Sequence, residues 1–349
     1  MKILIVGSLS NYAIERFYFK YLNKNISKNI EAKVFTAQDE FLNYYNKSLS
    51  NKLLFRSGFH SIYKIINDHL IEEINSYQPD YLLVFKGMEV YPSTLLRAIE
   101  KNVRLINYNP DNPFIFSGSG SGNRNVSDSV KLYDYHFSYN LQVKEKIENK
   151  LGIQCGWLPF GFDIDDGLYE KCQQISEVSK ACFIGNPDHQ RANFLREIAN
   201  HGIEIDVYGN RWKKFLHHYK INIYDSVFHE EFWRNLYKYR VQLNPLRLHN
   251  SRSHSMRSFE VPAIGGIMLA SRTKEHEMFF NENTECFYYN NTADAIKKIK
   301  YILNLTDSNA QKIRYSARER SLVSNYSYKN RASQFLTMLQ KFEFNKQLF

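Results

Sequence analysis

The sequence predicts an α/β protein made of two doubly wound parallel-sheet domains in tandem. Three observations predict it. Short apolar runs alternate with amphipathic stretches along the first half, the same alternation restarts at Lys180, and a polar stretch at 164–179 separates the two. Strands that alternate with helices build a parallel sheet covered on both faces. At 349 residues the chain is too long for one typical core and suits two domains of about 150–200 residues. The expected domains are 1–163 and 180–325, with a last helix in 326–349 packing back on the first domain.

The elements follow in order. "KILIVG" (2–7) reads as a buried strand ending in Gly7, and "NYAIERFYFKYLNK" (11–24) as a helix by its apolar spacing. "EAKVFTA" (31–37) is a second strand. "HSIYKIINDHLIEEINSY" (60–77) carries Ile62, Ile65, Ile66, Leu70 and Ile74 at helical spacing. "PDYLLVFKG" (79–87) is a strand, "PSTLLRAIEK" (92–101) a helix opened by proline, and "VRLINYNP" (103–110) a strand. Residues 109–128 break the pattern with a glycine-rich run, "SGSGSGN", that suits a mobile flap. A strand and helix resume over 133–152, and 153–163 adds a short strand and a turn.

The second half repeats the idea. Strand, Gly-Asn-Pro turn and helix occupy 180–202, further strands lie in 203–212 and 239–245, and "GIMLA" (266–270) is another. Between the last two, "SFEVPAIGG" (258–266) reads as a short helix begun by Ser258, Glu260 and Pro262 and ended by Gly265-Gly266. A strand and helix fill 284–303, and helices at about 308–322 and 327–342 close the chain.

Composition narrows the class. Hydrophobic residues make up 43%, enough for a sizeable core, and 46 Lys and Arg against 36 Asp and Glu give a net charge of +10. That excess predicts attraction to polyanions: nucleotide phosphates, acidic glycans, nucleic acid or an anionic membrane. Four scattered cysteines without CxxC spacing argue for buried free thiols in a reducing compartment. The first residues are too short an apolar run for a signal peptide, and no stretch reaches membrane-helix length. The expectation is a cytoplasmic protein, associated peripherally with the inner face of the cell membrane at most.

One carboxylate stands out. Glu260 sits beside a proline and an apolar run, where an unpaired charge costs several kcal/mol. In the first turn of a short helix it meets the positive end of the helix dipole and faces the crevice at the strand ends. There it either accepts both hydroxyls of a ribose or merely stabilises the helix; spacing alone weighs the two equally.

The segment "MRSFEVPAIGGIMLASRTKEHEMFF", followed by "ECFYYNNTADAIKKIKYIL", resembles the C-terminal domain of the CgeB-like glycosyltransferases at Arg257, Phe259, Glu260, Gly265 and Gly266. "FIGNPDHQR", "VYGNRW" and "YSYKNRASQFL" extend the likeness, as do "NYNPDNPF", "YDYHFSYN" and "LPFGFD" in the first half, so that it covers most of 80–340. The resemblance implies the GT-B fold, two Rossmann-like domains with a nucleotide-sugar in the cleft between them. It implies that Glu260 binds the ribose, and that Tyr208, Gly209 and Asn210 meet the nucleotide. Some relatives carry a second acidic residue eight positions before the glutamate; this chain has Arg252 there.

Further candidates follow from chemistry. "NSRSHSMR" offers Arg252, His254, Ser255 and Arg257; guanidinium forks suit a diphosphate, and a metal-independent transferase needs cations for the leaving nucleoside diphosphate. A solvated basic loop is the plainer alternative. Gly185 and Asn186 form a strand-to-helix turn whose N–H groups can cradle phosphate, with Arg191 one turn on. Asn244 ends a strand near the crevice. Trp212 reads as core before it reads as a base-stacking surface. For the acceptor, Asp111 in "NPDNPF" is the candidate general base of an inverting reaction, with Asn109 and Asn112 to hold hydroxyls; a turn-capping Asp is the alternative.

Several motifs carry nothing. "DIDD" (163–166) reads as a polar turn, and His217, His218, His249 and His254 lack a metal-ligand frame, so no metal and no cofactor beyond the nucleotide-sugar donor is expected. The glycine run lacks the Gly-Lys-Ser/Thr ending of a phosphate loop. The expected function is sugar transfer to a glycan, lipid-linked or protein hydroxyl in surface-glycan or glycoconjugate synthesis. The rivals are a nucleotide-sugar epimerase of the same fold and a non-catalytic polyanion or nucleic-acid binder. The last lacks any RNP-like or helix-turn-helix signature.

Overall fold

The structure is a computed structural model, described here for residues 1–11, 13–24, 29–116, 120–250 and 252–347, without the side chains at 166, 249 and 345–347. The centre of the expected flap, 117–119, and position 251 of the basic segment lie outside the described residues. The chain forms two compact units, Met1–Pro159 with Tyr328–Phe349, and Phe160–Ser327.

In the first unit the order is β1 (Lys2–Val6), α1 (Glu15–Asn23), β2 (Glu31–Phe35), α2 (Ala37–Lys47), α3 (Leu49–Arg56), α4 (Ile62–Tyr77), β3 (Tyr81–Phe85), α5 (Pro92–Ile99), β4 (Arg104–Asn109), α6 (Arg124–Ser129), β5 (Tyr135–Ser138), α7 (Leu141–Leu151) and β6 (Cys155–Trp157). The six strands pair in parallel in the order β2-β1-β3-β4-β5-β6. The order reverses between β1 and β3, which makes their carboxyl ends the switch point of this sheet. Both faces are covered, so Ile3, Leu4, Ile5 and Val6 are all buried, and the strand reads as an unbroken apolar run.

Helix α4 buries Ile62, Ile66, Leu70 and Ile74 against the sheet. Ile65, placed on that stripe from the sequence, is exposed instead. Helix α7 begins where the Asn140 side chain accepts from the amides of Gln142 and Val143, and ends at Gly152 with φ 68°.

In the second unit the order is α8 (Asp166–Gln173), β7 (Val178–Ile184), α9 (His189–Asn200), β8 (Ile205–Tyr208), β9 (Ile221–Tyr224), α10 (His229–Lys238), β10 (Tyr239–Asn244), α11 (Arg257–Ala263), β11 (Met268–Ser271), α12 (Lys274–Phe279), β12 (Phe287–Tyr289), α13 (Thr292–Leu303) and α14 (Asp307–Val323). Its parallel sheet runs β12-β11-β10-β7-β8-β9, with the switch point between β7 and β10. Residues 164–179, expected as a linker, instead contain α8 and the first turns into β7. Leu168 and Cys172, one helical turn apart, bury a stripe too narrow to stand out among polar neighbours.

The chain closes with α15 (Tyr328–Gln347), part of the first unit. Tyr328 stacks on Phe17 at 4.4 Å, and Phe335 lies 6.2 Å from Tyr18 and 4.8 Å from Phe137. Gly156 on β6 leaves room for this helix, since a Cβ there would meet Met338 Sδ at 2.8 Å. All four cysteines are buried and unbridged. Among the described residues no helix is long and apolar enough to cross a membrane.

Candidate functional site

The second unit gathers its cations at the switch point. Beyond β7, Gly185 to Asp188 form the turn into α9, and the Asp188 side chain caps the helix by accepting from the Arg191 amide at 2.9 Å. Arg191 then reaches back: its Nε and Nη2 donate to the Pro245 carbonyl at 3.1 and 3.0 Å, and its Nη1 to the Asn186 carbonyl at 3.2 Å. One side chain thus clamps the ends of β7 and β10 together. Burial pushes its pKa down to about 10, helped by the neighbouring Arg247 and Arg257 charges, so it stays protonated at neutral pH.

Arg257 opens α11. Its Nε donates to the Ile184 carbonyl at 3.2 Å, its Nη1 donates to a Glu260 carboxylate oxygen, and its guanidinium covers the Phe232 ring at 4.4 Å. Glu260 is buried, and its charge is thereby matched. Arg247 and Arg257 both act on Arg191 at this edge of the sheet, where the Asp188 carboxylate lies 3.6 Å from Arg191 Nε and 4.0 Å from Arg247 Nε. Arg247 and Phe232 have no motif around them, and sequence reasoning missed both.

Behind these residues lies a fixed polar network. His276 Nδ1 is 2.7 Å from the Ser271 carbonyl, which only accepts, so Nδ1 carries the proton and Nε2 accepts from Ser258 Oγ at 2.7 Å. Burial pushes the His276 pKa down to about 4 and keeps the ring neutral. Ser258 Oγ in turn accepts from Asn244 Nδ2 at 3.1 Å and from the Ser255 amide at 3.0 Å, and Ser255 Oγ donates to Asn244 Oδ1 at 2.9 Å. Asn244 and Ser255 therefore set the entry angle of α11 from the end of β10.

Three expected ligand contacts take other roles. His254 is fully buried, with Nδ1 on Glu275 at 2.6 Å and Nε2 accepting from the Phe160 amide at 3.3 Å; it presents no surface to a phosphate. Gly265 is buried at the far end of α11 from Arg257. With φ 80° it ends the helix: its amide bonds the Pro262 carbonyl and that of Gly266 the Val261 carbonyl, a Schellman cap. Tyr208 is buried with its hydroxyl 2.8 Å from that of Tyr239, which donates to Asp206 at 2.7 Å.

Trp212 belongs to the core, donating to the Gly185 carbonyl at 2.7 Å. Gly209, with φ 148°, passes so close to that carbonyl that a side chain would overlap it. Asn186, Asn210 and Arg252 are exposed.

In the first unit Asp111 Oδ2 lies 2.7 Å from Lys86 Nζ, which also donates to the Gly120 carbonyl at 2.8 Å. The turn is capped by Asn109, whose Oδ1 accepts from the Asp111 amide, and Asn112 caps the next turn through the Phe114 amide. Asn109 Nδ2 is buried without a partner. Lys86, with φ 59°, follows β3 at the switch point, close to two buried carboxylates that the sequence hid, Glu15 and Glu89. Burial raises both to about 7, and Glu15 accepts from the Ser8 amide at 2.8 Å. Among the described residues no group of three or more His, Cys, Asp or Glu side chains is gathered as a metal site.

Residues 190–337 match the family model described as "Glycosyl transferase-like", a span that includes Arg191, Asn244, Arg257 and Glu260. No curated protein matches the sequence. Among solved structures, sucrose-phosphate synthase from Thermosynechococcus elongatus is similar at TM-score 0.69 and 10% identity, over 99% of this chain and 100% of that one. HepE of Anabaena, in complex with UDP and glucose, is similar at TM-score 0.66 and 11% identity, over 98% and 100%. UDP-GlcNAc 2-epimerase of Neisseria meningitidis, bound to UDP-GlcNAc, gives TM-score 0.59 and 14% identity, over 98% and 100%. The fold is GT-B, two Rossmann-like units in one chain. That fold serves both transferases and epimerases, so the chemistry rests on the site.

Proposed function

We propose that this protein is a glycosyltransferase of the CgeB-like type that moves a hexosyl group from a nucleotide-sugar to a hydroxyl acceptor in surface-glycan or glycoconjugate synthesis. The observation that carries the reading is the Arg257–Glu260 pair on α11, tied to the end of β7 beside Arg191 and Arg247. A carboxylate next to guanidinium groups at a switch point suits a ribose joined to a diphosphate. Glu260 accepts the ribose hydroxyls, and Arg257, with the Gly185–Asn186 turn and the nearby charge of the largely buried Arg191, holds the diphosphate and stabilises it as it leaves, without a metal ion. Asp111 takes the acceptor proton if the reaction inverts, with Lys86 positioning its carboxylate and Asn109 and Asn112 beside it.

The family match over 190–337 favours transfer over epimerisation. The test is thermal unfolding of wild type and Glu260→Ala with UDP, GDP, CMP, TDP and ADP. A nucleotide that stabilises wild type and not the variant supports the donor site and names its base. No stabilisation by any of them overturns it. Incubation with the matching nucleotide-sugar then separates the two chemistries: release of the nucleoside diphosphate marks transfer, and an isomerised nucleotide-sugar marks an epimerase.

A further inference from the structure

Helix α3 is an anomaly in the first unit, since not one of its residues is buried. Its inner side is only half-covered: Phe55 packs on Phe41, Tyr45 and Tyr63 at ring distances of 4.8–5.6 Å. Its outer side carries Leu49 and Leu53, one turn apart, at 79% and 65% exposure, and the turn that follows adds Phe59 at 81%. Leaving such large apolar side chains in water on one short segment is costly for a protein with no use for them.

Charge decides what covers this face. From Phe41 to Asn67 the chain has four cations, Lys47, Lys52, Arg56 and Lys64, and no Asp or Glu. Lys64 pairs with Asp68 one turn further on, whereas Lys47 and Arg56 are exposed with no acidic partner among the described residues. Lys52 lies 5.6 Å from the Tyr45 ring. By helical phase Arg56 continues the Leu49–Leu53 stripe and Lys52 borders it on one side, so that long cationic side chains can reach headgroups while the apolar ones enter an acyl layer. An apolar ridge bordered by cations with no acidic residue on its own helix fits an anionic bilayer better than a second copy of itself, because two such faces would bring like charges together.

We propose that α3 and Phe59 dock this protein on an anionic lipid bilayer. The proposal goes beyond the donor chemistry and does not depend on it.

The experiment is cosedimentation of the full chain with phosphatidylcholine vesicles, with and without phosphatidylglycerol, at low and high salt. Wild type is expected to partition about tenfold or more towards the anionic vesicles, with the preference weakened by salt. A variant with Leu49→Ser, Leu53→Ser and Phe59→Ser is expected to lose most of the binding while keeping its thermal midpoint. A variant with Lys52→Ala and Arg56→Ala is expected to lose the lipid preference. No wild-type binding to anionic vesicles overturns the proposal, as does equal binding by the serine variant. A concentration-dependent dimer that the serine substitutions dissolve overturns it in favour of a second copy.

Discussion

Arg257 stands three residues before Glu260 on α11, and its guanidinium donates to the Glu260 carboxylate while its Nε holds the carbonyl of Ile184. The pair resolves how a carboxylate survives beside Pro262 and an apolar run: it is neutralised from its own helix. Removing Arg257 takes a charge partner from a buried carboxylate, while Arg257 itself is only partly buried. Arg257→Ala is expected to cost about 3 kcal/mol and to weaken nucleotide binding at least tenfold. Glu260→Gln keeps an acceptor for Arg257 and should cost less stability while still weakening nucleotide binding. Denaturant unfolding and nucleotide titration of both variants check this.

Ser258 is the hub behind that pair. It donates to His276 and accepts from Asn244 and the Ser255 amide, so Ser258→Ala strands several buried groups at once. The expected loss is roughly 1–3 kcal/mol, measured by denaturant unfolding, with weaker nucleotide binding because α11 loses its anchor.

Gly209 tolerates nothing larger. Its φ of 148° and its closeness to the Gly185 carbonyl predict that Gly209→Ala lowers stability by roughly 2–4 kcal/mol. Thermal unfolding would read this directly, since the Gly185 turn must shift with it.

Stability should depend on pH through two opposed sets of groups. Glu15 and Glu89 are raised to about 7 by burial, so the folded state holds their protons longer than the unfolded chain does, and stability falls as pH rises from about 4.5 through 7. His136 and His276 are lowered to about 4 by burial, so stability falls as pH drops from about 6.5 towards 4. The windows overlap and offset each other in wild type. Glu15→Gln keeps the acceptor for the Ser8 amide and removes one acidic contribution. Its stability relative to wild type is expected to rise by roughly 3 kcal/mol between pH 4.5 and 8, followed by denaturant unfolding across that range.

Much of the fold was legible because strands buried on both faces are written as uninterrupted apolar runs, as in "KILIV" and "YLLVF". The end of α11 was legible because Gly265-Gly266 supplies the left-handed cap. Helices α3, α8 and α10 were not expected as separate elements. In α8 a single stripe of Leu168 and Cys172 carries the burial, and in α3 nothing is buried at all, so no periodicity marks either. Glu260 could be singled out from its place beside a proline and an apolar run, and Arg257 from the resemblance that covers it. Arg247 and Phe232 could not, because only the folded chain brings a loop after β10 and a face of α10 to the same edge. Glu15 and Glu89 were hidden for the opposite reason: a charged residue in an ordinary helix or loop reads as surface until packing closes over it. His254 misled because its neighbours are basic, while its partner Glu275 lies 21 residues away.

Because α15 belongs to the first unit, that unit is discontinuous in time as well as in sequence. During synthesis residues 1–159 leave the ribosome long before Tyr328 and Phe335 exist to cover Phe17, Tyr18 and Phe137. The second unit has all its own segments first and can close while the earlier one still waits with an apolar face open. Nascent chains of this protein therefore carry an aggregation hazard near the start, and a ribosome that stalls before α15 releases a six-stranded sheet with part of one face uncovered rather than a finished domain.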